Sequence, residues 1–359
     1  MDVCIVGGIF DRDAAHRRIH TDTPETILAD GLVSRGVRVR TVGHSRFMPR
    51  TGEIVHVHHI GRGAIVSVSD RRIAGVVLTP HDGRLVDGAR FQPVRRRVAW
   101  RIAARWCDAL VALSSREARQ FQHVIDDSRI FTIPNGTPFV PAAATPDEAT
   151  PDEATPYLLF VGQLIPLKGV TELISAFAQL AGEFNALDLR LAYHNAQEES
   201  GLRALAEHLG IAARVHFLGP QDPESLRRLY RGAICTVLPS YAEALPSVLI
   251  EAQLQGCAVI STDVGGIPDI VRDRRQLVKP GDIEALARVI RTTLQVVSTE
   301  TRSAREERSL RMRREYGVEQ MIDAHIALYQ RVPALRRHPF GRSLLSIASS
   351  RLLPASDLP

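Results

Sequence analysis

The sequence predicts an α/β protein of two domains, and three observations carry that expectation. Short apolar runs of strand length alternate with segments of helical periodicity. The 359 residues exceed what a single core usually serves. Near the middle, residues 144–156 read ATPDEATPDEATP. This tandem repeat holds proline and acid but no bulky apolar residue, so it cannot build a core and reads as an exposed linker.

The clearest unit lies at 234–270. Residues 234–238 form an apolar run long enough for one buried strand, and a loop follows at 239–245. Pro246 suits the first position of a helix, where its missing N–H costs nothing. Gly256 is a stop just past the helix end, 258–261 is the next strand, and Gly265-Gly266 is a tight turn. Glu243 lies in the loop before this helix and Glu251 inside it. Ser247 and Glu251 share a helix face, while Val248, Leu249 and Ala252 are expected to turn toward the sheet. A helix N-terminus attracts phosphate. A carboxylate one turn further in can accept hydrogen bonds from a ribose diol, and one in the preceding loop can hold a sugar hydroxyl. Taken alone, either glutamate is better explained as an ordinary solvated side chain.

Earlier in the chain, 2–6 is a first strand and Gly7-Gly8 follows it. Those glycines either admit a ligand close to the backbone or form a plain turn. Thr21 to Thr23 precede Pro24, a helix start with caps available, and 37–42 is a second strand. IVHVHHI at 54–60 is a third strand, with His56 and His58 on one face and His59 on the other. The strand at 76–78 runs into Thr79-Pro80-His81-Asp82. RRRVAWRIAAR at 95–105 is a basic helix. It reads either as a membrane-surface helix or as a domain helix burying Val98, Ile102 and Trp106. The second reading is expected, because a buried strand at 109–113 follows at once. A last strand at 130–133 closes this half.

The second half opens with a buried strand, YLLFVG, at 157–162. Val170, Leu173, Ile174, Phe177 and Leu180 then mark a helical stripe, with Lys168 at its start, a second phosphate-binding geometry. Further strands fall at 189–193 and 215–219, and a closing helix starts at 282–286.

Composition narrows the classes. Formal net charge is +5. The excess is small and dispersed, with no basic–aromatic interleaving, so no nucleic-acid partner is expected. It suits anionic substrates or weak peripheral contact with lipid headgroups. Lysine occurs only at Lys168 and Lys279, a bias expected of a GC-rich bacterial genome. Cys4, Cys107, Cys235 and Cys257 are scattered without a CxxC and read as core residues of a reducing compartment. No apolar run reaches the roughly 20 residues of a membrane span. The start, MDVCIVGGIFDRD, lacks a basic n-region. A cytoplasmic protein is expected.

In this order, a strand ending in Pro-Ser, then Glu-Ala-Leu-Pro, Val-Leu-Ile-Glu-Ala, Gly, a strand and Val-Gly-Gly-Ile-Pro-Asp resembles the family-four retaining glycosyltransferases. That family has the GT-B fold, two Rossmann-like domains facing an interdomain cleft, and a Glu-x7-Glu motif. The resemblance implies an acceptor-binding domain at 1–143, the linker at 144–156, a nucleotide-sugar-binding domain at 157–330 and a tail at 331–359. It implies retaining transfer of a sugar from a nucleoside diphosphate sugar, with a UDP-sugar the expected donor, to an acceptor hydroxyl, without metal or other cofactor. Glu243 would hold the donor sugar, Glu251 the ribose, and His81, at a strand's C-terminal end, a sugar hydroxyl. Lys168 matches the family's lysine beside the diphosphate. Gln163 stands where the family has an arginine. Gly7, Gly8, Phe217, Leu245 and Ser247 complete the expected nucleotide-sugar site, with the backbone of the strand at 215–219 beside the base and the Phe217 ring itself expected in the core. HNAQEES at 194–200 replaces the family's Gly-x-Gly loop. The helix at 316–329 resembles the one that crosses back to the first domain. Two rivals share the fold: a phosphorylase or sugar-nucleotide epimerase, and a non-catalytic sugar-nucleotide-binding homologue.

Overall fold

The computed structural model describes residues 1–12, 23–70, 72–81, 94–138, 155–297 and 300–336. Thr21, Asp22, Asp82 and residues 144–154 of the repeat lie outside them. The chain forms two compact units. The first takes Met1–Pro138 and the chain from Gly317 onward, and the second ends at Tyr316.

The first unit is a six-stranded sheet of β1 (Asp2–Val6), β2 (Arg38–Val42), β3 (Ile54–His58), β4 (Gly75–Thr79), β5 (Ala109–Ala112) and β6 (Ile130–Thr132). Every pair is parallel, in the order β2-β1-β3-β4-β5-β6. Strands buried on both faces need helices on both, and the core is accordingly split. Cys4, Val6, Val55, Val57 and Leu78 face one way, against residues of α2 (Arg62–Ser69), α3 (Val94–Trp106) and α4 (Ser115–Phe121). Val3, Ile5, Ile54 and Val77 face the other, against α1 (Pro24–Ser34) and α12 (Val318–Leu335). The start of α1 is set by a reciprocal cap: Thr26 N–H donates to Thr23 Oγ1 and Thr23 N–H to Thr26 Oγ1.

The second unit has β7 (Tyr157–Val161), β8 (Asp188–Ala192), β9 (Val215–Gly219), β10 (Cys235–Leu238), β11 (Ala258–Thr262) and β12 (Leu277–Val278). Again all pairs are parallel, in the order β12-β11-β10-β7-β8-β9. Counted from β7, this is the dinucleotide-binding order with its reversal between β7 and β10. Its helices are α5 (Val170–Ala181), α6 (Glu199–His208), α7 (Pro223–Gly232), α8 (Ser247–Leu254), α9 (Ile267–Ile270), α10 (Ile283–Val297) and α11 (Arg302–Tyr316). The stripe Val170, Leu173, Ile174, Phe177 and Leu180 is buried, as its periodicity implies.

Five expectations need correction. Pro246 caps α8 from outside rather than opening it, and Ile250, not Val248, is among the fully buried residues beside Leu249 and Ala252. β3 stops at His58, because His59 takes a left-handed backbone, φ 65°. α12 continues to Leu335, past the expected start of the tail at 331. On α3, Val98 and Ile102 face solvent and Trp106 is half-buried, whereas Trp100, Ala103 and Ala104 fill the core. Trp100 sits against Phe121, and two small alanines let the helix approach the sheet, so the bulkier aliphatic stripe is left outside.

Candidate active site

In an open parallel sheet, ligands bind beyond the carboxyl ends of the strands where the strand order reverses. In the second unit that point lies between β7 and β10, so the loops at 162–169 and 239–246 form it. They are joined: Tyr241 N–H donates to the Leu167 carbonyl over 2.8 Å. Gly169, at φ 68°, closes the 3₁₀ turn carrying Lys168, and a Cβ there would lie 2.2 Å from the Pro239 carbonyl oxygen. Across the second loop, a Cβ on Gly265 (φ 50°) would lie 1.7 Å from the Glu243 carbonyl oxygen. Gly266 N–H donates to the Ala244 carbonyl over 2.8 Å. Glycines thus clamp the loop from both sides, since only they tolerate these dihedrals and this contact.

The clamp places Glu243 against Lys168. Lys168 Nζ donates to Glu243 Oε1 over 2.6 Å, and Ser240 Oγ donates to the same oxygen over 2.7 Å. Both side chains of the ion pair are mostly shielded, at 21% and 11% exposure, so it is held more firmly than a surface pair. Glu251, inside α8, accepts a hydrogen bond of 3.1 Å from the hydroxyl of the fully buried Tyr230. This tether sets Glu251 apart from a solvated glutamate. Ser247 is exposed at the first turn of α8, and Leu245 is buried, which leaves only its backbone to meet a ligand.

Gln163 Nε2 lies 3.3 Å from His194 Nε2. The HNAQEES segment clasps the same loop, with Leu164 N–H donating to the Asn195 carbonyl and Glu198 N–H to the Leu164 carbonyl. Phe217 is not a core residue. It is half-buried on β9, with the Arg203 guanidinium 4.2 Å above its ring and Tyr193 at its edge.

In the first unit the strand order reverses between β1 and β3, which brings Gly7-Gly8 and the end of the histidine strand together. Gly8 has open space where a Cβ would stand, while a Cβ on Gly7 would lie 3.0 Å from Glu25. His59 and His81 are the only non-glycine residues at positive φ among the described residues, at 65° and 51°, and their rings lie 5.1 Å apart. Backbone held in this region gathers at functional sites. His81 Nε2 is 2.7 Å from His58 Nδ1, and the two rings stack. Desolvation, then the neighbouring His59, push the His81 imidazole down to about 3, so it is neutral at ordinary pH. Glu25, 3% exposed, pairs with His59 over 3.0 Å. Burial works to raise its carboxyl, but the hydrogen bond from His59 and the charges of the histidines hold it at about 2.

Ser240, Tyr230 and Glu25 were not singled out from the sequence. Ser240 stands three residues before Glu243 and was within reach of local reasoning. Tyr230 lies on α7 and Glu25 on α1, so only the fold brings them to their partners. Among the described residues, no group of three or more His, Cys, Asp or Glu side chains is arranged to hold a metal ion.

Residues 143–309 match the family described as glycosyl transferases group 1, and residues 50–136 match the glycosyl transferase 4-like domain. The D-inositol 3-phosphate glycosyltransferase of Nocardia farcinica is 34% identical over 249 residues, 64% of this chain and 55% of that protein. The protein of the same name from Mycobacterium bovis is 32% identical over 241 residues, 62% of this chain and 49% of that one. The chain thus spans about half the length of these relatives. Among solved structures, sucrose-phosphate synthase from Thermosynechococcus elongatus superposes with a TM-score of 0.76 at 19% identity, over 93% of this chain and 99% of that one. Anabaena HepE, in complex with UDP-glucose, gives 0.70 at 18%, over 92% and 100%. Two parallel sheets, the Glu243 and Glu251 pair and these matches agree: the chain belongs to the group 1 glycosyl transferases and has the GT-B fold.

Proposed function

We propose that the chain transfers a sugar from a nucleoside diphosphate sugar to an acceptor hydroxyl with retention at the anomeric carbon. The observation that carries this reading is the shielded Lys168–Glu243 pair at the β7/β10 reversal, beside the N-termini of α5 and α8. Helix N-termini and a lysine favour a diphosphate. As the bond from the anomeric carbon to the diphosphate breaks, negative charge grows on the leaving oxygen, where Lys168 stabilises it electrostatically. The acceptor oxygen bonds to the same face of the anomeric carbon, and its proton passes to an oxygen of the departing phosphate.

A carboxylate has about four acceptor sites. Lys168 and Ser240 use Oε1 of Glu243, and the donor sugar's hydroxyls are assigned to the rest. Glu251, aimed by Tyr230, takes the ribose diol, and the backbone of 245–247 meets the phosphates. His81, neutral and with Nε2 turned to His58, offers Nδ1 to a sugar hydroxyl. Gly7-Gly8 let the sugar nucleotide approach the end of β1, and the domain around them serves the acceptor side. UDP is the nucleotide favoured by the likeness to HepE, which was solved with UDP-glucose and with UDP.

The test is a thermal-shift screen of UDP-, GDP- and ADP-sugars, followed by nucleotide release with and without candidate acceptors. A bound donor raises the unfolding midpoint by mass action, and release should require an acceptor and vanish in Glu243→Ala. No shift with any nucleotide sugar, or release that ignores the acceptor, sinks the proposal.

A further inference from the structure

The face of α3 turned away from the sheet has an unusual composition. Val94, Val98 and Ile102 are 67%, 51% and 38% exposed. Spaced four apart, they form one line along the helix. Arg95, Arg97, Arg101 and Arg105 are exposed around that line. The 13 residues of α3 contain no aspartate or glutamate. Exposed helices that face only water usually mix signs and pair them at i,i+4, as α11 does with Arg302 and Glu306. α3 offers its arginines no such partner from within, and its opposite side is already committed to the core through Trp100, Ala103 and Ala104.

We propose that this face of α3 docks on an anionic lipid surface. Val94, Val98 and Ile102 enter the boundary between headgroups and acyl chains, and the four arginines reach lipid phosphates. Arginine suits that geometry, because its apolar stem lies along the hydrocarbon while the guanidinium stays at headgroup level. Charge complementarity favours lipid over a second copy of the chain, since pairing two α3 faces would set arginine against arginine. It also favours lipid over nucleic acid, whose phosphates would meet the apolar line at the centre of the contact. The helix lies on the membrane rather than crossing it: among the described residues, no helix is long and apolar enough to span. The proposal stands apart from the transfer reaction, because no residue of the donor or acceptor site is on α3.

The test is flotation of the full chain with vesicles of equimolar phosphatidylcholine and phosphatidylglycerol, against phosphatidylcholine alone. Binding is expected only to the anionic vesicles, and it should weaken as salt rises. Val98→Glu with Ile102→Glu should abolish it. Arg101→Gln with Arg105→Gln should weaken it about 25-fold, from about fivefold per basic residue at an anionic surface. Both variants should keep the wild-type unfolding midpoint, since all four side chains are exposed. Absence of binding to the anionic vesicles overturns the proposal. So does binding that both variants leave unchanged, or wild-type self-association in light scattering that the same variants abolish.

Discussion

At the scale of single residues, the proposed donor site rests on tethers between side chains far apart in the chain. Glu251 is held by Tyr230, twenty-one positions away. If Glu251 binds the ribose, Glu251→Ala should weaken nucleoside diphosphate binding by about 1.5–3 kcal/mol, the value of a charged hydrogen bond. Tyr230→Phe should cost about 1 kcal/mol, because the carboxylate stays but loses its aim. Calorimetric titration of both variants checks this, and unchanged affinity in folded Glu251→Ala removes the assignment. A second test concerns charge. Gln163 contributes none beside the expected diphosphate, so Gln163→Arg should tighten binding, with a gain that shrinks as salt rises. Lys168→Ala should weaken binding and also release Glu243 from the cation it pairs with. If neither variant changes affinity, the diphosphate does not sit at this loop. Much of this site was legible because Lys168, Glu243 and Glu251 follow a local motif. Tyr230 was not, because a tyrosine on an amphipathic helix looks the same whether its hydroxyl meets water or a buried carboxylate.

At the scale of elements, the strands other than β12 were readable from periodicity to within two residues, since each must bury its own apolar pattern, but α2, α4, α6, α7 and α9 were not read from the sequence and α12 runs six residues past its expected end. The buried face of α3 was not legible either. Its periodicity offers two apolar stripes, Val98–Ile102–Trp106 and Trp100–Ala103–Ala104, and the sequence alone favours the bulkier one. Packing chose the stripe whose small alanines allow close approach. The same sensitivity to close approach makes Gly265 a sharp probe of the 239–246 loop. Gly265→Ala combines a left-handed backbone with a clash on the Glu243 carbonyl. It should lower stability by about 1–3 kcal/mol. It should also slow sugar transfer by about 100-fold, because the loop carrying Glu243 must shift. Gly201→Ala, in open space on α6, is the contrast: a helical alanine there should stabilise by about 0.5–1 kcal/mol. Denaturation curves and initial rates of the two variants separate the effects. A Gly265→Ala enzyme with wild-type rates would mean that the clamp does not position Glu243.

At the scale of the whole molecule, the two units differ in how they bury histidine. His56, His58 and His325 are buried in the first unit, and His81 stands against them. None of the second unit's described histidines, His194, His208 and His216, is buried. Desolvation holds His325 at about 4 and His81 at about 3, and pushes His56 and His58 well below the usual imidazole value. In the unfolded chain each titrates near 6.5. Below that pH the unfolded state takes up protons that the folded unit refuses, so stability falls as pH falls from 6.5 toward the folded values. The slope is about 1.4 kcal/mol per pH unit for each histidine kept neutral. Glu25 acts in the same direction lower down: its stabilisation is complete above about 4.5 and is lost as pH falls toward about 2. Differential scanning calorimetry between pH 7.5 and 5 should therefore show the first unit's transition moving down steeply while the second unit's moves little. His325 Nδ1 lies 2.8 Å from the Met321 carbonyl oxygen, a contact that a glutamine amide can replace without a titrating group. His325→Gln should flatten the first unit's pH dependence by about one histidine's share. Parallel pH curves for wild type and variant would show that His325 is protonated in the folded protein, and that the cluster is not the source of acid sensitivity.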